Sequence, residues 1–138
     1  QKIGFECRFI DHEPTLMWSK LVFLGPFALT TTASNKGTGE ILSDPHWRDL
    51  GMACIREACA VAVAEGAQLS AEAVIAGLAK MPGNMRSSMQ KDVEQGRTPE
   101  LDAIAGPILR GAERHHIDIP ATKKLVAAVE ERVNAQKR

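Results

Sequence analysis

The sequence predicts an all-α protein, a bundle of six helices preceded by one short strand. Three observations carry this. Apolar residues recur at helical spacing over most of the 138 residues. A Ser, Thr or Asp followed by Pro or Glu opens one segment after another. The two-residue alternation of a strand occurs once, at the start.

Each element follows from its own signals. In IGFECRFI, Ile3, Phe5, Cys7 and Phe9 alternate with Gly4, Glu6, Arg8 and Ile10, which reads as a strand. A lone strand has no sheet to join, so residues 1–14 are expected to be an interdomain strand and linker, and residues 15–138 a helical domain. DHEP breaks the pattern, and Thr15 is the expected cap of helix one, Leu16 to about Thr31, kinked at Gly25-Pro26. The polar TTASNKGTGE is read as a loop. Helix two opens at Ser43 or Asp44 with Pro45 in its first turn and closes at Gly66, with Trp47, Leu50, Cys54, Ala58 and Val61 inward. Helix three runs from about Ala71 to Met81 behind a Ser70 cap and stops at Pro82-Gly83. Helix four spans roughly Met85–Gln95 and ends at Gly96. Helix five has Thr98 as cap, Pro99 first and Glu100 second, and buries Leu101, Ile104, Ile108 and Ala112 before ending near His115. HIDIP is a turn, and helix six fills Ala121–Gln136.

Composition excludes several classes. Seventeen basic residues balance seventeen acidic ones, so no general attraction to nucleic acid or anionic membrane is expected. Three cysteines without a C-x-x-C do not build a disulfide framework, which points to a reduced, cytoplasmic setting. The apolar run LMWSKLVFLGPFAL is shorter than the ~20 residues a membrane helix needs, and Lys20 interrupts it. The chain lacks an initiator methionine, so a longer parent protein is expected.

Among chemistry-bearing residues, Lys20 stands out. At helical spacing it shares a stripe with Leu16, Phe23, Leu24 and Phe27. Burying an unpaired ammonium costs several kcal/mol, roughly a domain's whole stability. It therefore either snorkels to water or serves as a general acid or carbonyl polariser. Asp92 shares a face with Met85 and Met89, near Ser88, where it needs a partner or an exposed edge. Glu100 has an ordinary explanation in the helix dipole. NKGTGE lacks the third glycine and follows a helix, so it is no dinucleotide cradle. His115-His116 suits a helix C-terminus better than a zinc site, and Cys54 and Cys59 suit a core, so no metal is expected.

Beyond these readings, WSKLVFLGPFALTTTASNKGTGEILSDP and SSMQKDVEQGRTPELDAIAGPILRGAERHHIDIP resemble the C-terminal domain of the 2-dehydropantoate 2-reductase (ketopantoate reductase) family, from about residue 14 to the end. The resemblance implies a helical bundle of the 6-phosphogluconate dehydrogenase C-terminal type. It also implies an N-terminal Rossmann domain as partner, holding NADPH, and a small 2-oxo acid as substrate. Helix one's apolar face and the surface left bare without that domain make a homodimer the expected assembly. Lys20 falls on the family's catalytic lysine and Glu100 on its substrate-contacting carboxylate. Ser88 falls on the serine that binds the substrate's polar groups, and Asp92 on a supporting aspartate behind the site.

Leu24 and Ala28 stand where the family has asparagines, four and eight residues after the lysine, and Met85 where one is sometimes found, with Asn84 beside it. Ala105 replaces the asparagine of the I-N-G stretch. A substrate with fewer polar groups beside its carbonyl than ketopantoate is therefore expected. The competing reading is a non-catalytic helical dimerisation or binding module that keeps the fold without the chemistry.

Overall fold

The computed structural model describes residues 13–137; the strand expected in residues 1–10 lies outside them. The described residues are helical throughout, without a strand: α1 Glu13–Ser34, α2 Thr38–Ser43, α3 Pro45–Ala64, α4 Ala71–Ala79, α5 Ser88–Glu94, α6 Leu101–His115 and α7 Pro120–Lys137. No helix among them is long and apolar enough to cross a membrane.

The long α1 contains Pro26 and corrects one expectation: the start of the Thr-rich stretch read as loop continues the helix to Ser34. Within this stretch the side-chain hydroxyls are satisfied by bonding back to the carbonyls of the preceding turn. Thr30 Oγ1 donates to Pro26 O (2.7 Å), Thr31 Oγ1 to Phe27 O (2.8 Å) and Ser34 Oγ to Thr30 O (2.7 Å). Thr15 lies inside α1 and does not cap it. Its hydroxyl accepts from Gln68 N–H at 2.8 Å, fastening the loop before α4.

The buried face of α1 is also different from the expected stripe. Trp18, Val22, Gly25 and Leu29 point inward, with Trp18 2 % exposed and Val22 and Leu29 fully buried. Leu16 and Leu24, on the predicted stripe, are about half exposed. Gly25 is needed here: a Cβ would sit 3.1 Å from Ile108 Cδ1 and 3.4 Å from Ile104 O, so its absence lets α1 lie close on α6.

Helix α3 crosses α1 with Gly51 against Thr30. Its start matches expectation, since the Asp44 carboxylate accepts from His46 N–H at 3.0 Å and Pro45 occupies the first turn. Cys54, Ala58 and Val61 are buried, and the partly buried Trp47 and Leu50 pack against the cluster that holds Cys54. Burial in an apolar setting pushes the Cys54 thiol up to about 12 and the Cys59 thiol to about 11. Helix α6 meets α3 at Gly111, where a Cβ would fall 2.5 Å from Val61 Cγ1. Ile108 and Ala112 are buried as the sequence predicts.

Two polar ties join the helices at their ends. Glu65, just after α3, accepts from Arg114 Nη2 (2.9 Å) and Nε (3.2 Å) and contacts His115 Nε2 (2.7 Å). The hydrogen bonds from Arg114, then those from His115, hold its carboxyl below the ordinary value. His115 thus pairs with a carboxylate, while His116 takes the left-handed conformation (φ 56°) that ends α6. At the other tie, Glu57 of α3 reaches the start of α7. Its Oε2 accepts from Ala121 N–H (2.9 Å), and its Oε1 from Thr122 N–H and Thr122 Oγ1 (2.7 Å each). Helix α7 begins one residue earlier than expected, at Pro120, and Ile119 before it has no side-chain acceptor. Glu57 is therefore its cap, supplied from another helix.

Candidate functional site

The site is organised by the segment between α4 and α5. Helix α4 ends at Ala79, two residues short of the expected Met81, and α5 starts only at Ser88, three residues later than expected. The intervening backbone is held against the N-terminal end of α2. Thr38 N–H donates to Met85 O (3.0 Å) and Gly39 N–H to Gly83 O (2.7 Å), so the first amides of α2 find partners in this loop. The two glycines of NKGTGE make this approach possible. A Cβ on Gly39 would lie 3.0 Å from Gly83 O, and one on Gly37 would lie 3.3 Å from Met85 O.

Ser87 then fixes the start of α5. Its buried hydroxyl accepts from Gln90 N–H (3.1 Å) and lies 2.6 Å from Thr31 Oγ1. Because the Thr31 proton goes to Phe27 O, Ser87 donates to Thr31, and both hydroxyls are satisfied. Ser88, the next residue, is exposed in the first turn of α5.

A half-open hollow of about 430 Å³ results. Leu24, Phe27 and Ala28 of α1 form one wall. Met85, Arg86, Ser87, Ser88, Met89 and Asp92 form the second, and Glu100 and Ile104 the third. Phe27 stacks on Phe23 with ring centroids 5.6 Å apart, which stiffens the apolar wall. Asp92 Oδ1 accepts from Arg97 Nε at 3.2 Å, and its carbonyl takes Arg97 N–H at 2.8 Å, so this carboxylate has its partner. Glu100 is exposed at the N-cap position of α6. It makes no side-chain cap bond, and it replaces the expected cap Thr98: the sequence reading has Pro99 first and Glu100 second in the helix, which instead starts at Leu101.

Five of the seven predicted site residues, Leu24, Ala28, Ser88, Asp92 and Glu100, thus meet at one hollow. Lys20 does not line it. It is exposed on α1, one turn before Leu24, and not turned into a core or cleft. Asn84 faces a separate, more polar hollow with Asn35, Gly37, Glu40, Gly83 and Arg86. Arg86, which the sequence does not single out, borders both hollows. Its signal in the sequence is only its place just before the Ser-Ser pair. Among the described residues, no group of three or more His, Cys, Asp or Glu could hold a metal ion.

The described residues form a helical bundle with serine hydroxyls, two carboxylates and a guanidinium around an open hollow. The chain belongs to the ketopantoate reductase PanE/ApbA C-terminal family, matched over residues 14–133. It is 27 % identical over 126 residues to a 2-dehydropantoate 2-reductase of Archaeoglobus fulgidus, covering 91 % of this chain and 43 % of that protein. With a 2-dehydropantoate 2-reductase of Caulobacter vibrioides it shares 44 % identity over 77 residues, or 53 % of this chain and 26 % of the relative. The chain spans less than half the length of these curated relatives.

Among solved structures, a dimeric ketopantoate reductase from Staphylococcus aureus superposes with a TM-score of 0.81 at 22 % identity, covering 99 % of this chain and 53 % of that one. The 2-dehydropantoate 2-reductase from Methylococcus capsulatus gives 0.78 at 28 %, over 90 % of this chain and 44 % of that one. The first of these likenesses speaks to the fold alone, and the expected helical class agrees with it.

Proposed function

We propose that this chain is the substrate-binding and catalytic part of a 2-oxo acid reductase. The observation that carries the reading is the meeting of Ser88, Glu100 and Asp92, from two separate segments, at a hollow walled by α1 one turn beyond Lys20. In this role Lys20 is the general acid that holds the ketone oxygen and gives it a proton as the carbonyl carbon is reduced. A fixed cation beside a developing alkoxide is the largest effect such a site offers. Consecutive turns of one helix face are about 5.4 Å apart, within the span of an extended lysine side chain. Ser88 binds the polar end of the substrate, Glu100 contacts its hydroxyl and orients the lysine, and Asp92, tied to Arg97, supports α5 behind them.

The reductant in this reading is NADPH, which supplies a hydride when bound. None of the loops among the described residues is a glycine-rich turn between strand and helix, so they do not fit its pyrophosphate. Its cradle is assigned to a partner Rossmann domain of the same polypeptide, and a homodimer is the expected assembly. Leu24 and Ala28 make the α1 wall apolar and favour an oxo acid less polar than ketopantoate.

The test is turnover by the protein carrying its nucleotide-binding domain, followed by loss of the reduced nicotinamide's absorbance over a panel of 2-oxo acids. Lys20→Ala is expected to lower kcat by about a hundredfold or more, the usual scale of a general acid, with KM changed far less. Unaltered turnover in that variant would remove Lys20 from the general-acid role, and no turnover of any oxo acid by the wild type would favour the non-catalytic module. A clear preference for ketopantoate over every other oxo acid would overturn the substrate assignment alone.

A further inference from the structure

We infer that Arg86 is the anchor for the carboxylate of the anionic substrate; this rests on the reading of the hollow as a 2-oxo acid site. An oxo acid brings a negative charge into a cavity whose other charged lining groups, Asp92 and Glu100, are both acidic. Asp92 is offset by Arg97, but Glu100 is not paired among the described residues. An anion therefore needs a cation on the wall, and Arg86 is the one that lines it.

Its guanidinium is held in place rather than swinging freely. With the Gln90 amide oxygen turned toward it, that oxygen accepts from Arg86 Nε (3.2 Å) and Nη2 (3.0 Å). Nη2 also approaches Asn35 Oδ1 (3.4 Å) and pairs with Glu94 Oε2. Gln90 is 1 % exposed, so the support is rigid. These contacts engage one edge of the guanidinium. Nη1 makes no hydrogen bond among the described residues, which leaves it free to donate one charge-assisted hydrogen bond to a carboxylate. The pair with Glu94 reduces the net charge but fixes the plane, and a guanidinium keeps its donors while so paired.

Arg86 is thus a binding residue, distinct from the proton-donating chemistry, and it selects acids over neutral ketones. The chain is titrated with 3-methyl-2-oxobutanoate and, separately, with the methyl ester of that acid, following the Ser88 amide by NMR. The wild-type chain is expected to bind the anion at least about tenfold more tightly than the ester, the scale of one charge-assisted hydrogen bond. Arg86→Gln should bring the anion down to the ester's affinity and leave the ester unchanged. Arg86→Lys, which keeps the charge but loses the Nε and Nη2 contacts that fix the guanidinium, should fall between them.

Equal weakening of acid and ester in Arg86→Gln would make the residue merely structural and overturn the inference. So would undiminished anion binding in that variant, or no preference for the anion in the wild type. Because no turnover is measured, these outcomes are separate from failure of the reductase reading, which wild-type turnover over the oxo acid panel decides.

Discussion

Helix α7 owes its first turn to a residue more than sixty positions away, and removing that residue has a calculable cost. In Glu57→Ala, the amides of Ala121 and Thr122 and the Thr122 hydroxyl all lose their acceptor. Thr122 is fully buried and Ala121 is 6 % exposed, so water can replace the carboxylate only in part. A hydrogen bond to a charged group contributes about 1.5–3 kcal/mol, but three on one carboxylate are not additive. Loss of an ordinary helix cap costs about 0.5–2 kcal/mol. Together these place Glu57→Ala at about 2–4 kcal/mol.

Glu57→Gln keeps one acceptor oxygen but turns an NH2 toward a donor and forfeits the charge at the helix end. It should cost about 1–2 kcal/mol. With about 2.1 cal/mol/K per residue of unfolding entropy, a chain of this size loses about 3–4 °C of Tm per kcal/mol. Thermal unfolding followed by circular dichroism should therefore show a drop of about 7–14 °C for Ala and roughly half that for Gln. A drop of under about 2 °C for the alanine variant would mean that α7 does not depend on this cap.

Two further expectations follow from the packing. Gly39→Ala puts a methyl group 3.0 Å from Gly83 O, a backbone atom that cannot swing away, and strains the Gly39 N–H bond to it. The expected loss is about 1–3 kcal/mol in urea unfolding, with shifted NMR signals for residues 83–88; a spectrum unchanged there would contradict the described contact. The buried thiols bear on alkaline stability. Their folded pKa values, about 12 for Cys54 and about 11 for Cys59, lie above the ordinary 9.0. Their contribution is complete below pH 9 and is lost as pH rises from there toward 11 and 12, because the unfolded thiols ionise first. Cys54→Ala should flatten this decline, and an equally steep fall in that variant would refute the assignment.

What was legible in the sequence was mainly what local chemistry dictates. Asp44-Pro45 and Ser70 mark real helix starts because a cap and its amides lie within three residues of each other. The stripe of α6 is legible because its inward residues, Ile104, Ile108 and Ala112, keep the helical period. The inward face of α1 is not, because it includes Gly25 and Thr32, and neither looks like core. Gly25 is selected by the closeness of α6, a fact about the partner helix. Residues 31–34 read as loop by composition but are helical, with Thr31 and Ser34 hydroxyls bonded back to the preceding turn. Of the site, the motifs point to Ser88, Asp92 and Glu100. Arg86 stays hidden because its importance lies in what Gln90 and Asn35 do to it from elsewhere in the chain.

The hollow has one more consequence. Its three walls come from positions 24–28, 85–92 and 100–104, and no single stretch contains enough of it to attract a ligand. Whatever occupies it can do so only after the helices have come together, so occupancy and folding draw on the same equilibrium. At a ligand concentration a hundred times its Kd, the folded form gains about 2.7 kcal/mol. A melting-temperature screen of small oxo acids against this chain would thus rank its ligands without any reaction being run.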